Sequence, residues 1–336
     1  MYTNEDLNLA IQKGIFTESS VEDFRQMMAN LKQTTSVDEE NFKLIGGFND
    51  VFIVIACSLL LFSSYWLIDY IGSSKALGFA GFAVIAWGLA EYFILKRRMA
   101  LPAILLLFAF VGGVFGAAFN IIPDKEAYYY IPAGLSVAAA YGHWLRFKVP
   151  VTVAIGTGSA ILFLLFLIGH FFPETEQWLT AFLLSCGVLT FALAMYWDSS
   201  DRRRVTSNSD VAFWLHLLSA PLIIHPVFLT LGMLDGKEAL SGMISILLLY
   251  LVMTSLSIII DRRAFMVSSS AYVLYALSSI LNDYGNLTYS FSLTGVLIGS
   301  ALLLLSAWWH PTRAKLVSQL PVSLQQVLPA IKSPEQ

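Results

Sequence analysis

The chain has 336 residues, of which 57% are hydrophobic and only 13% are charged, with a net charge of −3 and a mean hydropathy of +0.69. A soluble domain carries about 25% charged residues, so this composition excludes an ordinary water-facing surface, and the slightly acidic balance excludes the basic field that nucleic-acid binding needs. Residues 1–50 hold 4 Lys/Arg against 9 Asp/Glu while the other 286 hold 16 against 14, which separates an acidic head from a membrane body.

In chain order, the head comes first. Residues 3–32 read as a short helical hairpin. Thr3 caps a first helix with Leu7 and Ile11 on one face, Gly14 ends it, and Thr17-Glu18-Ser19-Ser20 opens a second helix carrying Val21, Phe24, Met28 and Leu31 at helical spacing. Residues 33–41 are polar and read as a linker, giving a cytoplasmic head and linker over 1–41. A unit of this size has too little core to stand alone, so it is expected to rest on the membrane body, on a protein partner or on a second copy. The first 45 residues contain no apolar core of the kind a cleaved signal needs, and none is expected.

About 20 apolar residues cross a hydrocarbon core. Ten such runs follow, at 51–68, 77–95, 100–120, 128–145, 150–171, 178–196, 211–233, 239–259, 265–281 and 290–309. Lipid leaves backbone groups unsatisfied unless the segment is helical, so the expected fold is all-α: a polytopic bundle of about ten transmembrane helices over 42–311, with a cytoplasmic tail over 312–336. The loops alternate in sign. Lys96-Arg97-Arg98, Arg146 with Lys148, Arg202-Arg203-Arg204, Arg262-Arg263 and Arg313 with Lys315 fall on one side. The opposite loops are acidic and hold only Lys75, Lys125 and Lys237 as cations. The positive-inside rule then places both termini in the cytoplasm.

Arg97, Arg146, Arg202, Arg262 and Arg313 recur every 49 to 60 residues, the rhythm of repeated two-span hairpins. The best local match pairs Asp201-Arg202-Arg203 with Asp261-Arg262-Arg263. Duplication and the ordinary rhythm of short loops both account for it. Gly112 with Gly116, and Gly295 with Gly299, are spaced for close helix contact. Cys57 and Cys186 lie inside apolar runs, with neither disulfide nor zinc spacing.

The seventh run carries the polar candidates Asp210, His216, Pro221, His225 and Pro226. Ionisable groups within a span are candidates for function. On a helix His216 lies about 9 Å beyond Asp210, and His225 about 13 Å further, on the opposite side. Each proline lacks an N–H and frees a carbonyl one turn earlier, at Leu217 and Leu222, so a kink is expected over Leu217–Pro226. These residues suit a polar path through the membrane. They equally suit a structural role, with Asp210 as a helix cap favoured by the dipole and the imidazoles satisfying neighbouring backbone. Glu91 is a lesser candidate, read as a carboxylate paired with Lys96 and Arg97. His143 and His170 sit at span ends and read as interfacial. A bis-histidine haem needs two imidazoles converging from different helices, which His216 and His225, on one helix and facing apart, do not supply.

No HExxH, P-loop, GxSxG or CxxC motif occurs, so no enzyme class is indicated and no cofactor or metal is expected. The head, with its Leu…Gly-Ile…Val…Phe pattern through Gly14-Ile15, Val21 and Phe24, and the segment running from Ser209-Asp210-Val211-Ala212-Phe213-Trp214-Leu215-His216 to His225-Pro226 resemble a family of uncharacterised bacterial inner-membrane proteins. The resemblance implies a multi-pass protein of the bacterial inner membrane and brings no activity with it. The function expected is a non-catalytic scaffold, sensor or assembly partner acting through the head, against two alternatives: a solute or ion transporter using the seventh span, and a haem-binding electron carrier.

Overall fold

In the computed structural model, the residues described are 10–11, 13–21, 23–24, 48–122, 128–172, 178–202, 204, 206–230, 240–283 and 289–330. Among them every regular element is helical. Ten helices follow the ten apolar runs. They are α1 (Phe48–Gly72), α2 (Lys75–Ala90, continued as a π-turn over Glu91–Lys96), α3 (Ala100–Ile121), α4 (Tyr130–Phe147), α5 (Val151–Phe171), α6 (Leu179–Ser200), α7 (Ser207–Thr230), α8 (Leu240–Ile260), α9 (Ala264–Asp283) and α10 (Ser290–Ala307). Two short helices, α11 (Trp309–Ser318) and α12 (Val322–Gln325), follow.

Seven of these helices are long and apolar enough to cross a membrane, or eight if α10 and α11, bent by 72° at their junction, count as one span. The expectation of ten is therefore met as helices and only in part as spans. α4 is 18 residues long and is diluted by Ser136, His143 and Arg146.

Most consecutive helices pack on one another, among them α1–α2, α2–α3, α4–α5, α6–α7 and α8–α9, and non-consecutive contacts join α1 to α3, α5 to α7, α7 to α9 and α8 to α11. Apolar clusters follow this pairing. Cys57, Leu61, Ala86, Ala90, Leu106 and Ala109 form the core of α1–α3. Ala220, Ile224, Phe228, Ile246, Phe265, Val273 and Ile298 form that of α7–α10. Ala154, Ala194, Val211 and Leu215 tie α5 and α6 to α7. Cys57 and Cys186 are free thiols and both are buried.

Close approach is provided by glycine, at only one of the four GxxxG positions. A Cβ on Gly113 would stand 3.0 Å from the backbone nitrogen of Ala83, and one on Gly116 would stand 2.5 Å from the Phe79 ring, so these two seat α3 on α2. Gly112, Gly295 and Gly299 face open space. A Cβ on Gly187 would come within 2.8 Å of the Leu222 carbonyl carbon, which lets α6 lie directly on the α7 backbone. That contact decides which two helices share the polar groups described below.

The tight turns on the basic side share one device. Arg98, Lys148, Arg204 and Asp261 each adopt a left-handed conformation, with φ between 52° and 59°, a geometry uncommon for residues with a Cβ. Ser73, in the α1–α2 turn on the opposite side, does the same with φ 47°. The matched segments nonetheless differ in use: Asp201 accepts from Thr206 within its own turn, whereas Asp261 binds distant groups.

The described part of the head is local. Gly14, at φ 66°, closes a helical turn in which Gly14 N–H donates to the Ile11 carbonyl and Ile15 N–H to that of Ala10, the pattern of a glycine-terminated helix. Thr17 Oγ1 accepts the Ser20 N–H at 3.2 Å and starts the next helical turn. The packing of Leu7 on Met28, the 33–41 linker and the acidic loops at 123–127, 173–177 and 231–239 lie outside the described residues.

Candidate functional site

At the basic-loop end of α6 and α7, five helix ends and turns bring charge into the protein interior. Asp198 lies in the last turn of α6 and is 1% exposed, Arg262 lies in the α8–α9 turn and is 1% exposed, and His216 on α7 is fully buried. The Arg262 guanidinium donates to Asp198 Oδ1 at 2.6 Å and to Oδ2 at 3.3 Å. It also donates to the Ser209 carbonyl at 3.0 Å, at the start of α7. His216 Nε2 stands 2.9 Å from Asp198 Oδ2, with the imidazole edge-on to Phe191. A carboxylate that accepts from both groups is satisfied on both oxygens, which is what burial of a charge requires.

A second node adjoins the first. Asp261 accepts from Arg204 Nη1 at 2.9 Å and from the Trp309 indole N–H at 2.8 Å, and the Arg313 Nε lies 3.6 Å away. Arg204 also donates to the Asp261 carbonyl at 3.0 Å. Burial, with Arg262 close by, pushes the Arg204 guanidinium below its usual range, against the pull of Asp261 and Asp198. Arg202 and the buried Arg313 then hold the segment that follows α12. Arg202 donates to the carbonyls of Leu328 and Gln325 at 2.9 Å each, Arg313 to that of Pro329 at 2.7 Å, and the Ala330 N–H returns a bond to the Arg202 carbonyl. The stretch 312–330, read from sequence as a tail, thus forms α11 and α12 and docks by its main chain.

The residues singled out in sequence are not gathered into one site. His216 belongs to the buried network. His225 is exposed and its Nδ1 lies 2.5 Å from Tyr272 Oη on α9, while Phe228 stacks on the same tyrosine ring. Asp210, half-buried, stands in the first turn of α7, where its charge suits the dipole. The cap itself is Thr206, whose Oγ1 accepts the Asn208 N–H and whose own N–H and hydroxyl are held at 2.7 Å by Asp201. α7 stays helical through Pro221, which is exposed, and Pro226, which is buried.

Glu91 takes a different partner from the one expected. The π-turn that ends α2 presents it to α4, and Arg146 binds both carboxylate oxygens at 2.8 Å. Arg97 instead contacts the Tyr92 hydroxyl. His143, expected at the interface, is fully buried among Trp87, Phe110 and Phe147, with Nδ1 3.2 Å from Thr152 Oγ1. Trp309 is 1% exposed and its indole N–H donates to Asp261, while Trp308 is 60% exposed.

Sequence reading missed Asp198, Ser209, Arg262, Asp261 and Arg313 as site residues. The available signal was Asp198, an acid in the final turn of an apolar run, which the same rule that selected Asp210 also selects. Among the described residues no cluster of three or more His, Cys, Asp or Glu has metal-binding geometry. Compared with protein-family models, curated proteins and solved structures, the chain matches none.

Proposed function

We propose that this protein is a non-catalytic scaffold, sensor or assembly partner of the bacterial inner membrane. It crosses the bilayer ten times with both termini in the cytoplasm and engages partners through residues 3–32. The observation that supports this reading is the way α7 uses its polar groups. His216 is consumed by Asp198, His225 faces outward against Tyr272, and Asp210 sits at the helix start. A transport route needs polar groups that converge on one path and exchange partners, whereas these diverge, and the buried ones hold helices together.

The orientation rests on the alternation of loops. The segments at α2–α3, α4–α5, α6–α7 and α8–α9, with α11, carry 12 Lys/Arg in sequence against 3 on the other side, which directs them to the cytoplasm. A reporter active only in the periplasm is expected to be silent after Arg204 or Gln336 and active after Asp124 or Asp235. The opposite pattern overturns the orientation.

The scaffold role is tested by affinity capture of native complexes from membranes, using the full chain and a chain lacking residues 1–41. Proteins that copurify with the full chain are expected to be lost on truncation at unchanged abundance of the bundle. An identical set of partners in both captures removes the head from the function.

A further inference from the structure

We infer that residues 319–330 form a strap that closes the basic-loop end of the bundle over Arg313, and that this strap opens as a unit while the helices beneath it stay packed.

The strap is shaped by bonds of its own. Where it leaves α11, the Leu320 N–H donates back to the Val317 carbonyl at 3.1 Å, and the Gln325 side-chain amide donates to the Leu320 carbonyl at 2.8 Å. Pro321 precedes the single turn of α12 and accepts the Leu324 N–H at 2.9 Å, and the Leu328 N–H donates to the Leu324 carbonyl at 3.3 Å. These bonds do not involve α1 to α10, so the segment keeps its shape when it leaves them.

Its hold on the bundle is narrow. Arg202 donates to the Gln325 and Leu328 carbonyls, while Arg313 donates to that of Pro329 at 2.7 Å and that of Ala330 at 3.4 Å. Leu328 enters the apolar core of α7–α10, and Leu320 packs against its edge. Val322, Leu324 and Val327 are exposed. Segments that bury few apolar side chains open locally at a free energy well below that of global unfolding.

Arg313 and Arg262 make the contrast that defines the device. They are 3% and 1% exposed. The partners of Arg262 are Asp198 and Ser209, on α6 and α7, so water reaches it only when helices part. Arg313 is covered by two strap carbonyls, which are neutral. Opening replaces them with water around a guanidinium that is always charged, and Asp261 beneath keeps Arg204 and the Trp309 indole. No buried charge is left unpaired, which removes the main penalty for breaking a buried contact. The strap thereby switches Arg313 between a hidden and an accessible cation without disturbing the network below.

The test treats the full-length protein in lipid nanodiscs with phenylglyoxal, which modifies accessible guanidiniums, and follows each arginine by peptide mapping. In the unmodified protein Arg313 is expected to react several-fold faster than Arg262, despite their nearly equal burial. Leu328→Ser removes the apolar anchor and Arg202→Gln removes two of the bonds. Each is expected to speed the reaction of Arg313 about ten-fold, the effect of losing a hydrogen bond to a charged group, and to leave Arg262 unchanged. Equal protection of Arg313 and Arg262 in the unmodified protein overturns the inference, and that comparison needs no variant to fold. So does a rise at Arg262 in step with Arg313, which would make the strap part of the same cooperative unit as the helices, or an unchanged Arg313 rate in both folded variants.

Discussion

Replacing Arg262 with methionine is expected to deplete folded protein from the membrane and to lower its melting temperature in detergent more than any other single change in the chain. Methionine keeps much of the volume but removes the cation that faces Asp198, which is 1% exposed and 2.6 Å from the guanidinium. Removing one partner of a buried pair leaves an uncompensated charge and costs about 3–5 kcal/mol, a large part of the roughly 5–15 kcal/mol that stabilises a typical fold. The loss also releases the Ser209 carbonyl, and with it the hold of the α8–α9 turn on the start of α7. A heat-denaturation curve and a membrane immunoblot measure both effects. A variant that melts like the unmodified protein would show that the pair carries no stability.

The second large effect is expected at Asp261. Its carboxylate faces Arg204, which is 9% exposed, and the Trp309 indole, and its own φ is 59°. Asn tolerates the left-handed conformation, so Asp261→Asn removes charge while preserving the turn. The expected cost is about 3 kcal/mol, the lower end for breaking a buried pair, because Arg204 keeps its bonds to main-chain carbonyls. Asp261→Ala removes the acceptor for Trp309 as well and adds about 1–2 kcal/mol of left-handed strain. In that variant α11 and α12 are expected to become accessible to protease ahead of the rest of the bundle, since Trp309 anchors the bend after α10. Equal melting of the Asn and Ala variants would remove the Trp309 contact and the turn strain from the account.

What could be read from the sequence was whatever depends on local composition. The ten apolar runs became ten helices because continuous hydrophobicity and the demand for internal backbone pairing act within one segment. The expected cap and stop in the head were legible for the same reason: Gly14 and Thr17 act on groups three to five residues away. The buried network was not legible because its partners are 64 residues apart for Asp198 with Arg262 and 57 apart for Arg204 with Asp261. The basic turns were counted as solvated charge that orients the chain, and several of their arginines in fact point inward. Gly187, unremarkable in sequence, sets α6 against α7 closely enough for Asp198 to reach His216.

A proline frees one carbonyl and crowds the preceding turn, yet α7 keeps helical backbone through Pro221 and Pro226, with its own Ala220, Ile224 and Phe228 buried in the α7–α10 core. Of its two histidines only His216 faces the interior, which follows from their half-turn separation once one side of α7 lies against α6 and α9.

The claim that the buried charges serve as a lock between helices is tested most directly by a double-mutant cycle on Asp198 and Arg262, read as thermal unfolding of Asp198→Asn, Arg262→Met and the combined variant. A lock requires that the second substitution recover part of the loss caused by the first, with a coupling energy of about 1–3 kcal/mol, because the combined variant buries no unpaired charge. Losses that add to within about 0.5 kcal/mol would mean that Asp198 and Arg262 act independently, and would contradict the structural assignment of the site.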